Sequence, residues 1–445
     1  MPASTTKSLR VAVLADSDTR WKWGSLTASR VCPADSDIRL DGFLLRGRAT
    51  PTARQLEEVG VRADSLREVT AVEFLRELGK EDCPYDMVVL SLVGGAVQAV
   101  LHGLARAWDG RTKRPLVVTG YVGVVYEKLA DGLLLRHGAD LVLANSRQDA
   151  DRFRAVYEGV GADAGSVTEV ALPFLGGAVY PENDPSVEQG RRPRTVVFAA
   201  QPSVPESRKD RTYLLDRLIR HARLHPDREV LLKLRSRPGE HTTHIEELPY
   251  QKLVQKADPP ANFRLVYGHM GEVLDRTDLL VTVSSTAALE SLHRRIPTVV
   301  LSDLGVREAL GNHHFVGSGC LASWDQLDTG HRPVPDAAWV ARQGVAADGS
   351  YETAFDTARR RITELLTADE LPPLAPYYTP VTAPGYLPGI LARHHLGPDG
   401  SPLPGAPAAD REPSPVRQFV RRAARGAYRH GVQRVAPVIR RMGEL

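Results

Sequence analysis

Residues Asp278 to Val300 read DLLVTVSSTAALESLHRRIPTVV, and the reading of this stretch decides the fold. The apolar run Leu279 to Val283 breaks into three hydroxyl residues, Ser284, Ser285 and Thr286. A helix-like pattern follows, closes at Pro297, and yields to a second apolar run, Thr298 to Leu301. Strand, hydroxyl turn, helix and strand in that order describe a parallel β-α-β unit. A helix start built from Ser and Thr offers backbone N–H groups, hydroxyl donors and the positive end of the helix dipole, which together suit a phosphate. Glu290, about one turn further in, is placed to accept from ribose hydroxyls. The same residues also suit an ordinary helix cap in a parallel sheet, and the stretch alone leaves both readings open.

Three further apolar runs lie upstream: TVVFAAQPS from Thr195, EVLLKLRSRPGEH from Glu229 and NFRLVYGHMGEVLDRTD from Asn262. Helix-like sequence separates them, the pattern of a parallel sheet with crossover helices. Ligands of such sheets gather at the carboxyl ends of the strands. The residues expected there are Gln201, Ser203, Lys233, Arg235, Arg237, Glu240, His241, Gly268, His269 and Ser284 to Thr286, a cationic and hydroxylated rim suited to a diphosphate.

The N-terminal half repeats the alternation. RVAVLAD (Arg10 to Asp16), IRLDGFLL (Ile38 to Leu45), YDMVVLSLVGG (Tyr85 to Gly95), RPLVVTGYVG (Arg114 to Gly123), ADLVLANS (Ala139 to Ser146) and VTEVALPF (Val167 to Phe174) read as strands. Helical periodicity fills the gaps at Thr52 to Gly60, Thr70 to Leu78, Ala96 to Trp108 and Gln148 to Glu158. A polar stretch with Pro181, Pro185 and Pro193 separates the halves. The expectation is an α/β protein of two Rossmann-like domains facing across a cleft. Residues 1–180 form an acceptor domain, 181–194 a linker and 195–395 a nucleotide-sugar donor domain with returning helices; a Pro/Gly-rich linker at 396–415 and a basic tail at 416–445 complete the chain.

A chain of 445 residues suits two domains, and 42% hydrophobic with 25% charged residues is a soluble, core-forming composition. Cys32, Cys83 and Cys320 are scattered without a CxxC pair, so neither a disulfide framework nor a cysteine zinc site is predicted. No run reaches the ~18 to 20 apolar residues of a membrane span. The apolar run Leu9 to Ala15 meets Asp16 too soon for a signal peptide. A cytoplasmic location follows as the expectation.

On these residues the second half resembles the donor domain of a GT-B glycosyltransferase. Within that fold it is similar to bacterial capsule and teichoic-acid transferases, including sialyltransferases and CDP-glycerol polymerases, and to actinobacterial glycosyltransferase-like proteins without an assigned substrate. The resemblance spans Leu9 to Val306 and is most specific at Ser284 to Pro297. It implies that Ser284, Ser285 and Thr286 bind the donor phosphate. The family's basic residue and His-Pro pair correspond to Lys233-Leu-Arg235-Ser-Arg237-Pro238, with Arg237 in place of the histidine. A guanidinium still grips phosphate in two-pronged fashion. Retaining GT-B enzymes often carry two glutamates seven residues apart; with Glu290 as the later one, the earlier position holds Thr282. That departure implies an inverting displacement, in which a base deprotonates the acceptor and fixed positive charge stabilises the leaving nucleotide.

For the base, the first strand ends in a loop carrying Asp16, Asp18, Trp21 and Trp23. Indole faces stack on sugars, and a neighbouring carboxylate can act as general base. The alternative is a helix cap with locally packed tryptophans. Glu127, after the Thr119-Gly120-Tyr121-Val122-Gly123 loop, is the second candidate, with Gly120 and Tyr121 as acceptor contacts. Asp16-Ser-Asp18 and Asp35-Ser-Asp37 match DxD but lie in the wrong place for that metal motif, and His241, His244, His313 and His314 lack a carboxylate in ligand spacing. No metal and no cofactor are expected.

Residues Val416 to Leu445 carry eight arginines against one acid, Glu444, so the tail holds +7 of a chain whose net charge is +3, leaving about −4 elsewhere. Apolar residues recur there near helical spacing. A basic amphipathic segment on a tether suits an anionic membrane surface, where lipid-linked acceptors reside; a solvated tail or an oligomer contact is the alternative. Nucleic acid is not an expected partner, because no binding fold accompanies the charge. The sequence thus predicts a glycosyltransferase moving a sugar from a nucleotide donor, CMP or CDP before UDP, to a cell-surface or lipid-linked glycan, peripheral on the inner face of the plasma membrane. The rivals are an enzyme like UDP-N-acetylglucosamine 2-epimerase and a non-catalytic nucleotide-binding protein.

Overall fold

The computed structural model describes residues 8–33, 36–123, 128–181, 186, 189–190, 192–237, 240 and 248–406. They divide into two compact units. The first comprises the chain up to Phe174, Arg342–Gly344 and the segment from Gly349; the second comprises Leu175–Ala341 and Val345–Asp348.

The first unit is built on a seven-stranded sheet in the order β3-β2-β1-β4-β5-β6-β7, every pair parallel. The strands are β1 Ser8–Ala15, β2 Asp37–Leu45, β3 Ser65–Val69, β4 Met87–Ser91, β5 Leu116–Gly120, β6 Leu141–Ala144 and β7 Val167–Glu169. β4, β5 and β6 are buried along their whole length, which explains their continuous apolar runs: helices cover both faces of a parallel sheet. Helix starts are set locally. Thr70 and Glu73 form a reciprocal capping box ahead of Ala71–Leu78, and Ser146 caps Arg147–Gly159 through the Asp149 N–H. Gly103 lets Ala71–Leu78 approach Gly94–Ala107, since a Cβ there would lie 2.2 Å from Leu75 Cδ1.

The second unit holds a six-stranded parallel sheet in the order β10-β9-β8-β11-β12-β13. Its strands are β8 Arg194–Ala199, β9 Arg228–Lys233, β10 Phe263–Val266, β11 Leu279–Thr282, β12 Thr298–Leu301 and β13 Leu321–Ala322. The stretch that opened the sequence reading is therefore β11, a hydroxyl turn, the helix Ala287–His293 and β12. Both sheets reverse strand order beside their first strand, between β1 and β4 and between β8 and β11, which is where doubly wound folds place their ligands.

The expected strands are present, with one shortened: β7 ends at Glu169 although the apolar run continues to Phe174. Edge strand β3 escaped the sequence reading because four of its five residues are exposed, so it has no apolar run. Two expectations about the C-terminal part need correction. Residues 349–395, grouped with the second domain by sequence, belong to the first unit, where Leu374, Leu387 and Leu391 enter the core formed by Ala12, Leu90 and Val97. The 396–415 linker also begins as packed structure: Leu396 is buried, Arg106 pairs with Asp399 at 2.8 Å, and Gly400 lies against the His102 backbone. The basic tail at 416–445 lies outside the described residues, and among those described no helix is long and apolar enough to cross a membrane.

Candidate functional site

Each unit concentrates polar side chains at the carboxyl edge of its sheet. In the first, Asp16 follows β1. Its Oδ1 accepts from Arg20 Nη1 at 2.9 Å and its Oδ2 from the Val93 N–H, just after β4, also at 2.9 Å. A half-buried carboxylate thus bridges the two strands of the switch point. Asp18 opens the helix Asp18–Val31, where its Oδ1 accepts from the Thr19 N–H at 2.8 Å.

The tryptophans expected to stack on acceptor sugar are core residues. Trp21 is 1% and Trp23 0% exposed. Trp23 Nε1 donates to Asn145 Oδ1 at 3.2 Å, and a Cβ at Gly42 would come within 2.6 Å of the Trp21 ring. The helical spacing that placed both indoles beside Asp16 turns them toward the sheet, so the acceptor-binding role is withdrawn for both. Gly120 is likewise a packing glycine: a Cβ would lie 2.8 Å from the Leu143 carbonyl and 2.9 Å from the Trp23 ring. The Arg136 guanidinium lies 3.9 Å from the centroid of the Tyr121 ring, Phe153 packs against it at a tilt, and burial pushes its phenol up. Gly120 is thus a packing position, while Tyr121 is half-buried at the same edge. Glu127 lies outside the described residues.

Three residues that the sequence reading passed over organise this edge. Buried Arg136 donates to the carbonyls of Leu92, Gly120 and Gly132, tying the ends of β4 and β5 together. Asn145, after β6, donates to the Tyr121 carbonyl at 2.6 Å while accepting from Trp23. His394 lies in the segment that returns to this unit. Burial pulls its imidazole below the ordinary value, Arg393 pushes the same way, and nearby Asp16 opposes. Chain order conceals that His394 and Asp16 act on each other electrostatically, because the two residues stand far apart in the sequence. A buried polar residue at a strand end, such as Asn145, carries no sequence signal of its own.

In the second unit, strand order brings Gly268 and His269 (after β10), Arg235 and Arg237 (after β9), Gln201 and Ser203 (after β8) and Ser284 to Thr286 (after β11) to one edge. Their roles divide. Gln201 Oε1 accepts from the Ser284 N–H at 3.0 Å and its hydroxyl at 3.2 Å, and Ser284 Oγ also lies 2.5 Å from the Leu310 carbonyl. Ser284 is 2% exposed. Gln201 and Ser284 thus form an internal lock across the switch point, in which Ser284 is buried, against its reading as a donor contact, and Gln201 stays half-buried. Lys233 is corrected in the same way: it is buried and its Nζ donates to the Leu234 carbonyl at 2.9 Å. Thr282, where retaining enzymes would carry glutamate, donates to the Ala199 carbonyl and accepts from the Ser285 N–H.

Ser285, Thr286 and Glu290 remain half-buried, as do Ser203, Arg235, Gly268 and His269, while Arg237 is exposed. Arg237 stacks 5.6 Å over the Tyr267 ring, and its backbone N–H donates to Glu240. Gly268, at φ +97°, needs glycine for its left-handed turn, and no atom crowds it. The His269 ring closes over Gly271, where a Cβ would lie 2.9 Å away. Buried Arg211 holds the loop after β8 by donating to the Gln201, Pro202 and Pro205 carbonyls while stacking on Tyr250. His241 lies outside the described residues. The edge therefore offers hydroxyls, guanidiniums and an imidazole around a switch point whose geometry is fixed from within.

Residues 11–365 match the model of a family described as "Putative glycosyltransferase (DUF6716)". The chain belongs to this family. No curated protein matches it. Among solved structures it is similar to the Staphylococcus aureus protein MnaA with UDP, at 12% identity and TM-score 0.49 over 80% of this chain and 95% of that one. It is also similar to Anabaena Alr3699/HepE with UDP and glucose, at 14% identity and TM-score 0.47 over 81% and 99%. A third is the glycotransferase of kitacinnamycin, at 13% identity and TM-score 0.41 over 80% and 95%.

Proposed function

We propose that the protein is a GT-B-type, inverting, metal-independent glycosyltransferase of cell-surface glycan assembly, with the nucleotide sugar on the second unit and the acceptor on the first. The observation that carries this reading is the Gln201–Ser284 lock, which fixes the hydroxyl turn at the switch point and leaves the half-buried Ser285 and Thr286 beside it. Arg235, Arg237 and His269, on the neighbouring strand ends, supply positive charge and donors for a diphosphate. Glu290 accepts from the ribose.

The reaction needs a base for the acceptor hydroxyl. We assign it to the Asp16–His394 pair. The base takes the hydroxyl proton, the oxygen attacks the anomeric carbon, and the bond to the leaving phosphate breaks with its electron pair on the nucleotide, which the arginines stabilise. Thr282 in place of a glutamate favours this single displacement. Resemblance to the Ser-Ser/Thr group favours CMP or CDP over UDP as the carrier, and the arginine-rich tail places the enzyme at an anionic membrane bearing a lipid-linked acceptor.

The test is to supply CMP-, CDP-, UDP- and GDP-linked sugars to the full-length protein with and without glycan and lipid-linked acceptor fractions, and to measure nucleotide release. Acceptor-dependent release from one donor class is the expected result. Turnover of a sugar nucleotide without acceptor would establish an epimerase-like activity instead, and binding without consumption would establish a non-catalytic protein.

A further inference from the structure

The opposite, amino edge of the second sheet carries a different feature. A cavity of about 290 Å³ opens there, lined by Tyr180, Arg194, Arg228, Arg295 and Arg332 over a floor of Val196, Leu279 and Pro297. Arg194 and Arg228 are the first residues of β8 and β9, and Pro297 immediately precedes β12. This position is at the far end of the same strands from Ser285 and Thr286, so it is not part of the donor edge.

The charge of these four arginines is balanced only in part: Asp227 and Asp328 act on Arg228 without forming an ion pair with it, and Tyr180 acts on Arg332. Among the described residues, none of the four has a carboxylate within 4.0 Å. Asp278, the acid in the wall, is already occupied: it accepts from Arg192 at 2.7 and 2.9 Å, from the Thr195 N–H at 2.7 Å and from the Tyr180 hydroxyl at 3.2 Å. Asp328, behind Arg228, accepts from His221 at 2.7 Å and Arg217 at 3.2 Å. Among the described residues His221, His225 and Asp328 place possible metal ligand atoms within 4.8 Å of one another, and the two ring nitrogens of His221 face the Asp328 carboxylate at 2.7 Å and the Arg228 guanidinium at 3.3 Å.

Burial lowers Arg228 and Arg332 from their ordinary values; Arg194 adds to this at Arg228, where Asp227 and Asp328 oppose it, and Arg228 and then Arg194 add to it at Arg332, where Tyr180 opposes it. Guanidiniums brought together without a carboxylate paired to each repel one another, and an anion between them relieves that repulsion. The cavity volume stands at the lower end of the ~300–1,000 Å³ range of small-molecule pockets. Planar forks from several directions match the oxygens of phosphate better than a single carboxylate.

We infer that this cavity is a second anion site, distinct from the donor edge, and that it takes a diphosphate group held by Arg194, Arg228, Arg295 and Arg332. The diphosphate belongs either to a small soluble molecule or to a prenyl-linked lipid headgroup, and both present the same oxygens to the arginines.

Titration calorimetry on the full-length protein tests this with inorganic pyrophosphate, a nucleoside diphosphate and a short-chain prenyl diphosphate. Pyrophosphate should bind the unmodified protein, and Arg228→Gln/Arg332→Gln should weaken it at least about tenfold. Ser285→Ala/Thr286→Val should leave that affinity within about twofold while weakening the nucleoside diphosphate, which separates this site from the donor assignment. Tighter binding of the prenyl ligand than of pyrophosphate points to the lipid source, and equal or weaker binding to the soluble one. Arg194→Gln/Arg295→Gln, at exposed positions, gives the same reading if the first pair does not fold. The inference is overturned if pyrophosphate does not bind, if the folded arginine variants bind it normally, or if only the Ser285/Thr286 variant loses it.

Discussion

Gln201 accepts from both the backbone N–H and the hydroxyl of Ser284, at 3.0 and 3.2 Å. The residues follow β8 and β11, the neighbours at which strand order reverses, so one side-chain amide sets the separation of the two loops that flank the candidate donor site. Asp16 performs the matching task in the first unit by accepting from the Val93 N–H between β1 and β4. Gln201→Leu leaves the Ser284 N–H without its partner in a buried position, and should cost about 1 to 3 kcal/mol of stability in denaturant unfolding. Nucleotide affinity should fall with it.

Ser284 and its neighbours should separate in a mutant series. Ser284→Ala removes a hydroxyl that is bonded internally, so it should lower stability with little change in nucleotide affinity. Ser285→Ala/Thr286→Val should weaken nucleotide by about 1 to 3 kcal/mol in calorimetry if both hydroxyls reach phosphate, along with a smaller loss of stability from the bond that Ser285 Oγ accepts from the Ala287 N–H. Equal affinity in the folded double variant would remove the donor assignment.

The assigned base pair predicts a kinetic phenotype confined to turnover. Asp16→Asn and His394→Asn should each reduce turnover by about 10² to 10⁴-fold once a donor is identified, while nucleotide binding stays near normal. The depressed His394 gives the sign of the pH dependence: activity should fall as acid protonates the imidazole, at a pH below the ordinary histidine value. Near-normal turnover in both variants would place the base elsewhere.

Trp23→Phe probes core packing. It deletes the N–H that bonds Asn145, so it should cost about 1 to 3 kcal/mol in stability. The folded variant should keep its affinity for acceptor. A selective loss of acceptor affinity would reinstate the indole as a sugar platform.

His221 predicts how stability responds to acid. It is fully buried, and burial pulls its pKa down to about 4 despite the opposing bond to Asp328. The unfolded chain takes up a proton near pH 6.5, whereas the folded one resists until about 4, so stability is complete above 6.5 and declines as pH falls between those values. The contribution is roughly 3 kcal/mol. His221→Gln should flatten the fall in denaturation midpoint between neutral pH and pH 4.5; an unchanged slope would contradict it.

The tail carries a prediction independent of the folded units. Deleting residues from Pro415 onward should abolish binding to anionic liposomes while leaving turnover of a soluble acceptor analogue intact. Undiminished liposome binding would exclude the tail as the membrane contact.

Much of the architecture was legible because buried parallel strands write themselves as apolar runs. β4, β5, β6 and β11 each show one, and capping residues such as Thr70 and Ser146 mark where helices begin. The position of the hydroxyl turn was equally readable, since strand ends follow from where the runs stop. The division of labour within it was not: Ser284 and Ser285 are chemically identical in sequence, and only the approach of Gln201 and Leu310 buries one, while the other stays half-buried with its oxygen accepting from the Ala287 N–H.

By itself, the sequence determined two sets of parallel α/β elements and which residues stand at their carboxyl ends, because those properties depend on local periodicity and on strand termination. Tertiary structure alone decided which polar groups are already bonded. It sent Trp21, Trp23 and Lys233 inward, brought His394 within the electrostatic reach of Asp16, returned residues 349–395 to the first unit, and gathered Arg194, Arg228, Arg295 and Arg332 around one cavity. Those arginines lie on four separate segments, so their shared electrostatics exists only once strand order places them side by side.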